Sequence, residues 1–329
     1  VIIADESLYN ELKDGLNGYE IIVQAGSEAI ADAMMDCEID TVVTAMVGYS
    51  GLEPTINAIK AGKRIALANK ETLVVAGELI TDMLKSSASE ISPVDSEHSA
   101  IFQSLVGEDY NSISKLILTA SGGPFRLTPI EQMQFVTKAN TLNHPNWVMG
   151  AKITVDSATM MNKGFEMIEA KWLFGIEAKD IEIVVHPQSI VHSMVEFNDG
   201  SIKAQLGVPD MHLPIQYALG YPNRLPSVRK RLSVMDYSNL TFEAPSFDKF
   251  PMLTLAYDSI NRGGNIPCAL NAANEIAVAA FLEDKINYIQ IADVVANGIK
   301  NCAFIPQPTF EDYVATNAEI RNYTNSIIK

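Results

Sequence analysis

Arg64-Ile65-Ala66-Leu67-Ala68-Asn69-Lys70-Glu71-Thr72 is a short β-rich run, Arg64–Ala68, that feeds through Asn69 and Lys70 into a helix-forming stretch, Glu71–Ser86. The same pairing recurs on both sides of it. Upstream, the runs Val1–Ala4, Glu20–Gln24 and Thr41–Val47 alternate with helical stretches at Ser7–Leu16, Glu28–Met35 and Leu52–Ala61; downstream the run Glu90–Val94 follows. This alternation predicts an α/β fold over residues 1–95, a doubly wound parallel sheet with helices on its faces. Ligands of such sheets gather beyond the carboxyl ends of the strands. Two strand ends are therefore of interest, Val47-Gly48-Tyr49-Ser50-Gly51 and Ala68-Asn69-Lys70-Glu71-Thr72. Ordinary turn chemistry accounts for the glycines of the first equally well. No GxGxxG fingerprint occurs in the chain, so spacing alone argues for no dinucleotide site.

The formal net charge of −16 argues against nucleic-acid and anionic-membrane partners, which need basic surface. An anionic ligand would have to meet a local cationic pocket. Cys37, Cys268 and Cys302 are widely spaced and odd in number, which suggests neither a disulfide framework nor a thiolate zinc site. A reducing, cytoplasmic setting is the simplest expectation. No apolar run reaches the roughly 18 residues of a spanning helix. The chain begins Val1-Ile2-Ile3, without Met and inside a strand-like run, and so reads as an incomplete copy of a longer protein, which leaves a plastid origin open.

Beyond residue 95 the patterning changes. Ser114–Thr119, Ile181–His186, Ile190–Phe197 and Ser201–Leu206 read as strands of an antiparallel or mixed sheet, with a hairpin turn at Asn198-Asp199-Gly200-Ser201. We expect an α+β catalytic domain at 96–220 with a mobile loop near 139–150, and a linker at 221–250. A C-terminal helical bundle at 251–329 would comprise Met252–Asn261, Ala269–Leu282, Tyr288–Lys300 and Glu311–Ile327. Within the bundle, Asn271-Ala272-Ala273-Asn274-Glu275 is conspicuously small and polar, which close helix packing explains as easily as function.

The stretch Val155-Asp156-Ser157-Ala158-Thr159-Met160-Met161-Asn162-Lys163-Gly164-Phe165-Glu166 concentrates the chemistry. Ile153 and Val155 close an apolar run, Asp156 and Ser157 are good helix caps, and helix formers continue to Phe174. The expected order is strand, cap, helix. At helical spacing Met161, Phe165, Ile168 and Trp172 share one face, and Asn162, Lys163 and Glu166 share another. Ser157, Asn162 and Lys163 could then hold a phosphate at a helix start. Glu166 beside that anion would need a cation between them, which makes it a candidate metal ligand. A solvated helix face with a routine cap is the plainer alternative.

Asp95-Ser96-Glu97 repeats the theme, with two carboxylates able to point the same way and supply hard oxygen ligands for Mg²⁺ or Mn²⁺; an acidic helix cap explains them too. Ser96 could cap that helix or bind a substrate hydroxyl. His98, His186 and His192 read as structural. Ser121-Gly122-Gly123 lets backbone N–H groups approach an anion, or is a Gly-rich turn. The loop Asn143-His144-Pro145-Asn146-Trp147-Val148-Met149-Gly150 suits a lid that closes an apolar plate over a polar ligand. A phosphorylated polyol that chelates a divalent cation would use all of these elements.

Ala-Asn-Lys-Glu-Thr (68–72), Pro-Val-Asp-Ser-Glu-His-Ser (93–99), Ser-Gly-Gly-Pro-Phe-Arg (121–126), His-Pro-Asn-Trp-Val-Met-Gly (144–150), Val-Asp-Ser-Ala-Thr-Met-Met-Asn-Lys-Gly-Phe-Glu (155–166), His-Pro-Gln-Ser-Ile-Val-His (186–192) and Leu-Asn-Ala-Ala-Asn-Glu (270–275) together resemble the 1-deoxy-D-xylulose 5-phosphate reductoisomerase family. The resemblance implies metal-assisted rearrangement of the ketose phosphate and NADPH-dependent reduction to 2-C-methyl-D-erythritol 4-phosphate, in non-mevalonate isoprenoid synthesis. It also implies a homodimer with a Rossmann-like NADPH domain. By position, Asp95, Glu97 and Glu166 would hold Mg²⁺ or Mn²⁺, and Ser121, Ser157, Asn162 and Lys163 the phosphate end. Lys70, Ser96 and His144 would contact substrate under the Trp147 lid, and Asn69, Glu71 and Gly150 the cofactor. The catalytic set so implied is Lys70, Glu97, His144 and Glu166.

Members of this family open with a Gly-rich dinucleotide fingerprint that this sequence does not contain. A chain truly starting at Val1 is expected to bind NADPH poorly. It would then act as a metal-dependent sugar-phosphate isomerase or lyase, or as an inactive fragment that binds phosphorylated ligands.

Overall fold

The computed structural model describes residues 1–233, 235, 237 and 239–328. The first third alternates strands and helices: β1 (Ile2–Ile3), α1 (Tyr9–Gly15), β2 (Gln24–Ala25), α2 (Ser27–Ala33), β3 (Thr41–Thr44), α3 (Leu52–Lys60), β4 (Arg64–Leu67), α4 (Glu71–Lys85) and β5 (Glu90–Pro93). Every strand pairing here is parallel, as the rhythm predicts. The strands form two sheets rather than one, because β1 and β2, two residues each, pair only with each other. The three-stranded sheet β3-β4-β5 carries the register that matters: Thr44 aligns with Leu67, and Leu67 with Pro93. Its three strand ends therefore share one edge, and the residues after them, Gly48–Gly51, Asn69–Lys70 and Asp95–Glu97, emerge side by side.

The middle of the chain contains α5 (Ser96–Leu105), β6 (Ile113–Ala120), α6 (Lys138–Thr141), α7 (Ala151–Ala158), α8 (Met161–Phe174), β7 (Ile181–Val185), β8 (Val191–Phe197), β9 (Ile202–Leu206) and α9 (His212–Gly220). Its sheet has the order β7-β6-β8-β9, with β7 parallel to β6 and the other pairs antiparallel, a mixed sheet. The described residues of 221–250 form a connection pinned to β7 by a bridge between Glu243 and Val185. Four helices follow: α10 (Pro251–Arg262), α11 (Ile266–Leu282), α12 (Gln290–Lys300) and α13 (Phe310–Ile327).

One expectation is overturned in the middle segment. Ile153 and Val155 lie in a helix, not a strand, and Ser157 sits in the last turn of α7 rather than capping α8. Burial outweighs β-branched propensity here: Val155 is fully enclosed, and the Gly150 carbonyl accepts from Thr154 N–H and Oγ1 to start the helix. The break between α7 and α8 is made by Met160 in the left-handed region (φ 63°). The face assignment on α8 holds, with Met161, Phe165 and Ile168 enclosed in the core.

The largest core joins the mixed sheet and α8 to the C-terminal helices. A second core fills the space around β3, β4, α3 and α4, and Cys268 of α11 and Tyr313 of α13 pack into it. The C-terminal helices thus brace both sheets. The three cysteines are free thiols. Among the described residues no helix is long and apolar enough to cross a membrane.

Candidate active site

The edge at which β4 and β5 end faces α8 across a cleft of about 310 Å³. Asp95 caps α5, accepting from the Glu97 N–H at 3.2 Å, so the expected cap and the expected carboxylate pair are both present. One turn apart on α8, Asn162, Lys163 and Glu166 face the same cleft. One carboxylate oxygen each from Asp95, Glu97 and Glu166 lies within 4.8 Å of the others. Two buried ammonium groups hold them together. Lys70 Nζ binds Asp95, Asn162 Oδ1 (2.9 Å) and Glu166 Oε1 (3.1 Å); Lys163 Nζ binds Glu166 and Glu97 Oε1 (3.1 Å). Ser96 Oγ donates to Glu97 Oε2 at 2.5 Å.

Three carboxylates meet two ammoniums here, and His98 adds a third basic group 3.5 Å from Asp95. Burial alone would raise the Asp95 pKa, yet Lys70 and His98 together outweigh it and hold that carboxyl well below the usual range. Glu97 goes the other way: burial, and then the neighbouring Glu166 charge, push it up to about 7. Burial also opposes the charge on Lys70, but Asp95 and Glu166 more than offset it, and its pKa stands well above that of an ordinary lysine. An all-oxygen acidic set of this kind fits a hard divalent cation, which would relieve the repulsion between Glu97 and Glu166.

His98 is more involved than its sequence position suggests. It is enclosed, its Nε2 lies 2.9 Å from the Glu166 carbonyl, and its Nδ1 is 3.2 Å from Glu169 and 3.5 Å from Asp95. Burial works against its charge, but Glu169 and Asp95 prevail and carry its pKa to about 9.

At the other end of the cleft Ser121 follows β6, and its Oγ lies 3.0 Å from His144 Nε2. His144 Nδ1 accepts from the N–H groups of Asn146 (3.1 Å) and Trp147 (3.0 Å). A neutral His144 therefore carries its proton on Nε2 and donates it to Ser121 Oγ. Burial lowers the His144 pKa and favours that neutral form. Gly123, at φ 66°, lets the loop after β6 lie against α7; a Cβ there would stand 2.7 Å from the Ser157 carbonyl oxygen. The Ser-Gly-Gly backbone thus seats Ser157 in the cleft. The 143–150 loop covers this end with His144, Trp147, Val148 and Met149 and is fastened by Asn146 Nδ2 to Pro187 O (2.8 Å) and Ser189 Oγ (2.9 Å).

All the expected substrate and metal residues line this cleft: Lys70, Asp95, Ser96, Glu97, Ser121, His144, Trp147, Ser157, Asn162, Lys163 and Glu166. Asn162 and Lys163 lie against the carboxylates rather than toward Ser121 and Ser157. Asn69, Glu71 and Gly150 are outside the cleft lining. Asn69 Nδ2 holds the Gly48 carbonyl (2.8 Å), Glu71 pairs with Lys152 (2.5 Å), and Gly150 caps α7. His192 and Met211 also line the cleft and had no sequence signal of their own; burial depresses the His192 pKa to about 4, which keeps it neutral. His186 is structural, as expected, tying Thr241 O (2.9 Å) and the N–H groups of Ile190 and Val191.

Family models match along the chain: 1-deoxy-D-xylulose 5-phosphate reductoisomerase at residues 1–77, its C-terminal domain at 91–174, and the DXP reductoisomerase C-terminal domain at 206–323. The reductoisomerase of Bacteroides fragilis is 57% identical over 328 residues, covering 100% of this chain and 84% of the relative. The chain belongs to the 1-deoxy-D-xylulose 5-phosphate reductoisomerase family. The reductoisomerase of Chloroherpeton thalassium is 50% identical, over 98% of this chain and 84% of its own length. Among solved structures, the Zymomonas mobilis reductoisomerase in complex with NADPH superposes with a TM-score of 0.92 at 45% identity, over 100% of this chain and 85% of that one. A reductoisomerase in complex with NADPH, fosmidomycin and magnesium superposes at 0.94 with 41% identity, over 99% and 85%. These reductoisomerases share the α/β fold with its parallel and mixed sheets and helical C-terminal part.

Proposed function

We infer that this chain converts 1-deoxy-D-xylulose 5-phosphate to 2-C-methyl-D-erythritol 4-phosphate, by a divalent-cation-assisted rearrangement and an NADPH-dependent reduction, in non-mevalonate isoprenoid biosynthesis. Family membership gives the reaction. The observation that carries the reading in this chain is the convergence of Asp95, Glu97 and Glu166 in the cleft that also holds Ser121, Ser157 and the Trp147 loop.

Asp95, Glu97 and Glu166 would hold Mg²⁺ or Mn²⁺. Bound there, the cation supplies Lewis acidity to the ketose oxygens and a template for its hydroxyls, and NADPH supplies the hydride. The chain's own groups do the rest. Lys70 keeps Asp95 ionised and stands ready, with Ser96, to orient a substrate oxygen. Glu97, with its raised pKa, can hold or release a proton near neutrality at its carboxylate. Ser121, Ser157, Asn162 and Lys163 would take the phosphate end. His144 orients Ser121 through Nε2, while Trp147 covers the carbon skeleton and excludes water. Asn69, Glu71 and Gly150 border the cofactor. In the same reading the chain divides at residues 95/96, 220/221 and 250/251, the 139–150 loop is mobile, and the protein works in the cytoplasm.

The test is NADPH oxidation with the ketose phosphate across a Mg²⁺ titration. Turnover that requires all three components is expected; cation-independent oxidation, or none by the full-length protein, rejects the reading. Loop closure has its own signal. Trp147 and Trp172 are the two tryptophans, and Trp172 is held in α8, so in a Trp172→Phe background the emission should shift when a phosphonate analogue binds. An unmoved spectrum argues against a Trp147 lid.

A homodimer is part of the same proposal. The edge strand β9 exposes Ile202 and Leu206, and α9, the next element in the chain, exposes Leu213, Ile215 and Leu219, apolar surface suited to a second copy. Light scattering should give twice the 35.9 kDa chain mass, and Leu213→Asp with Ile215→Asp should lower it to the monomer. A monomeric wild type contradicts the dimer.

A further inference from the structure

Asn271-Ala272-Ala273-Asn274-Glu275 in α11 touches neither carboxylate cluster nor cleft, yet it reaches both walls that enclose them. Asn271 through Asn274 are fully enclosed, so the small side chains explain close packing. The two polar residues at its end are aimed at different partners. Asn274 Nδ2 donates to Asp156 Oδ1 at 2.8 Å, and Asp156 pairs with Lys152 (2.9 Å), which reaches Glu71 at the start of α4 (2.5 Å). This chain fixes α7, whose next residue is Ser157.

Glu275 points the other way. Its Oε1 accepts from the Tyr49 backbone N–H at 2.9 Å and from Asn271 Nδ2 at 2.9 Å, and its Oε2 accepts from Arg321 of α13 at 2.5 Å. Tyr49 lies in the turn Gly48–Gly51, which follows β3 on the edge shared with Lys70 and Asp95. Backbone donors at the start of such a turn lack partners within it, and a carboxylate is their strongest acceptor. The approach is close enough to require glycine: Gly48 has φ 70°, and a Cβ there would lie 2.3 Å from Glu275 Oε1. Asn69 grips the same turn from the sheet side through the Gly48 carbonyl, so the turn is clamped between its own sheet and the C-terminal helices.

We propose that Glu275 is a positioning residue for the cofactor: by holding the Tyr49 amide and Arg321 together, it sets the turn beyond β3 against which a nicotinamide nucleotide lies. The crevice beyond the carboxyl ends of parallel strands is where such cofactors bind. This rests on the NADPH-dependent reading above. Glu275 acts through the turn and not on substrate, because its contacts are with the Tyr49 amide and with Asn271 and Arg321 of the C-terminal helices.

The experiment compares wild type, Glu275→Ala and Glu275→Gln as full chains, by KM for NADPH, KM for the ketose phosphate, kcat, and hydrogen exchange at the Tyr49 amide. Glu275→Ala should raise the NADPH KM about tenfold, the worth of one charge-assisted hydrogen bond. The ketose phosphate KM should stay within about twofold, and Tyr49 should exchange faster. Glu275→Gln keeps an acceptor for Tyr49 and should restore most of the NADPH KM. An unmoved NADPH KM, an equal rise in both KM values, or failure of Glu275→Gln to rescue overturns the proposal. Wild-type protein that leaves NADPH unoxidised instead overturns the functional reading, and the exchange rate of Tyr49 then decides alone whether Glu275 holds the turn. Should Glu275→Ala not fold, Arg321→Met loosens the same clamp from its outer side and is read by the same measurements.

Discussion

Glu166→Gln should lower kcat by about 10³-fold and abolish the dependence of activity on divalent cation, the scale expected when a charged ligand is removed from a catalytic metal. Glu166 is enclosed, and both its oxygens are committed, Oε1 to Lys70 and Asn162 and Oε2 to Lys163. The amide keeps the shape but removes the charge, and turns a donor toward one of two ammonium groups. The folded state should nevertheless tolerate it. Lys70 and Lys163 keep Asp95 and Glu97 as partners in the variant, which removes the repulsion between Glu166 and Glu97 along with the attraction to the ammoniums. A cooperative unfolding transition close to that of the wild type, together with a lost cation titration, is the expected pair of results. An unchanged cation titration would rule Glu166 out as a ligand.

Lys70→Met should do the opposite, damaging the fold as well as the chemistry. It strips the shared cation from Asp95, Asn162 and Glu166 and leaves buried carboxylates uncompensated, a change that costs about 3–5 kcal/mol. The pH dependence follows from the Asp95 shift. In the native protein Asp95 has a depressed pKa, so its contribution to stability is present above the ordinary aspartate pKa and is lost as pH falls through the lower folded value. Without Lys70, burial is opposed by His98 alone, the folded pKa of Asp95 rises, and ionised Asp95 loses most of its contribution to folding. The defect of Lys70→Met should thus be largest at neutral and alkaline pH and shrink on acidification. Added Mg²⁺ should recover part of it, because a cation that binds only the folded state stabilises by mass action. Denaturant midpoints across pH, with and without Mg²⁺, check both; a defect that is constant with pH and indifferent to Mg²⁺ would show that Lys70 does not neutralise this cluster.

Much of the first third was legible because parallel strands announce themselves by rhythm: β3, β4 and β5 begin where the runs Thr41–Val47, Arg64–Ala68 and Glu90–Val94 begin. What rhythm does not carry is register. Only the alignment of Leu67 with Pro93 brings Lys70 beside Asp95, residues 25 apart in sequence. The α8 face was legible from helical spacing, which separates Asn162, Lys163 and Glu166 from Met161, Phe165 and Ile168. The segment before it was not. Ile153, Thr154 and Val155 have strand-like side chains but lie in a helix, where Thr154 and Val155 are buried, and the chain breaks at Met160, a non-glycine in the left-handed region that no turn-residue rule marks. His192 reads as structural in the sequence because a lone histidine in a strand carries no spacing signal; its place in the cleft depends on distant elements folding around β8. The Glu275 clamp was equally hidden, since its partner is a backbone amide 226 residues away.

The central claim is that one cleft both rearranges a sugar phosphate and presents it to NADPH. NMR of the product formed from carbon-labelled 1-deoxy-D-xylulose 5-phosphate with NADPH and Mg²⁺ tests it most directly. The account predicts the branched 2-C-methyl-D-erythritol 4-phosphate, formed only when both Mg²⁺ and NADPH are present. Recovery of the labelled carbons in an unbranched skeleton, or a branched product formed equally well in the presence of a chelator, would contradict it.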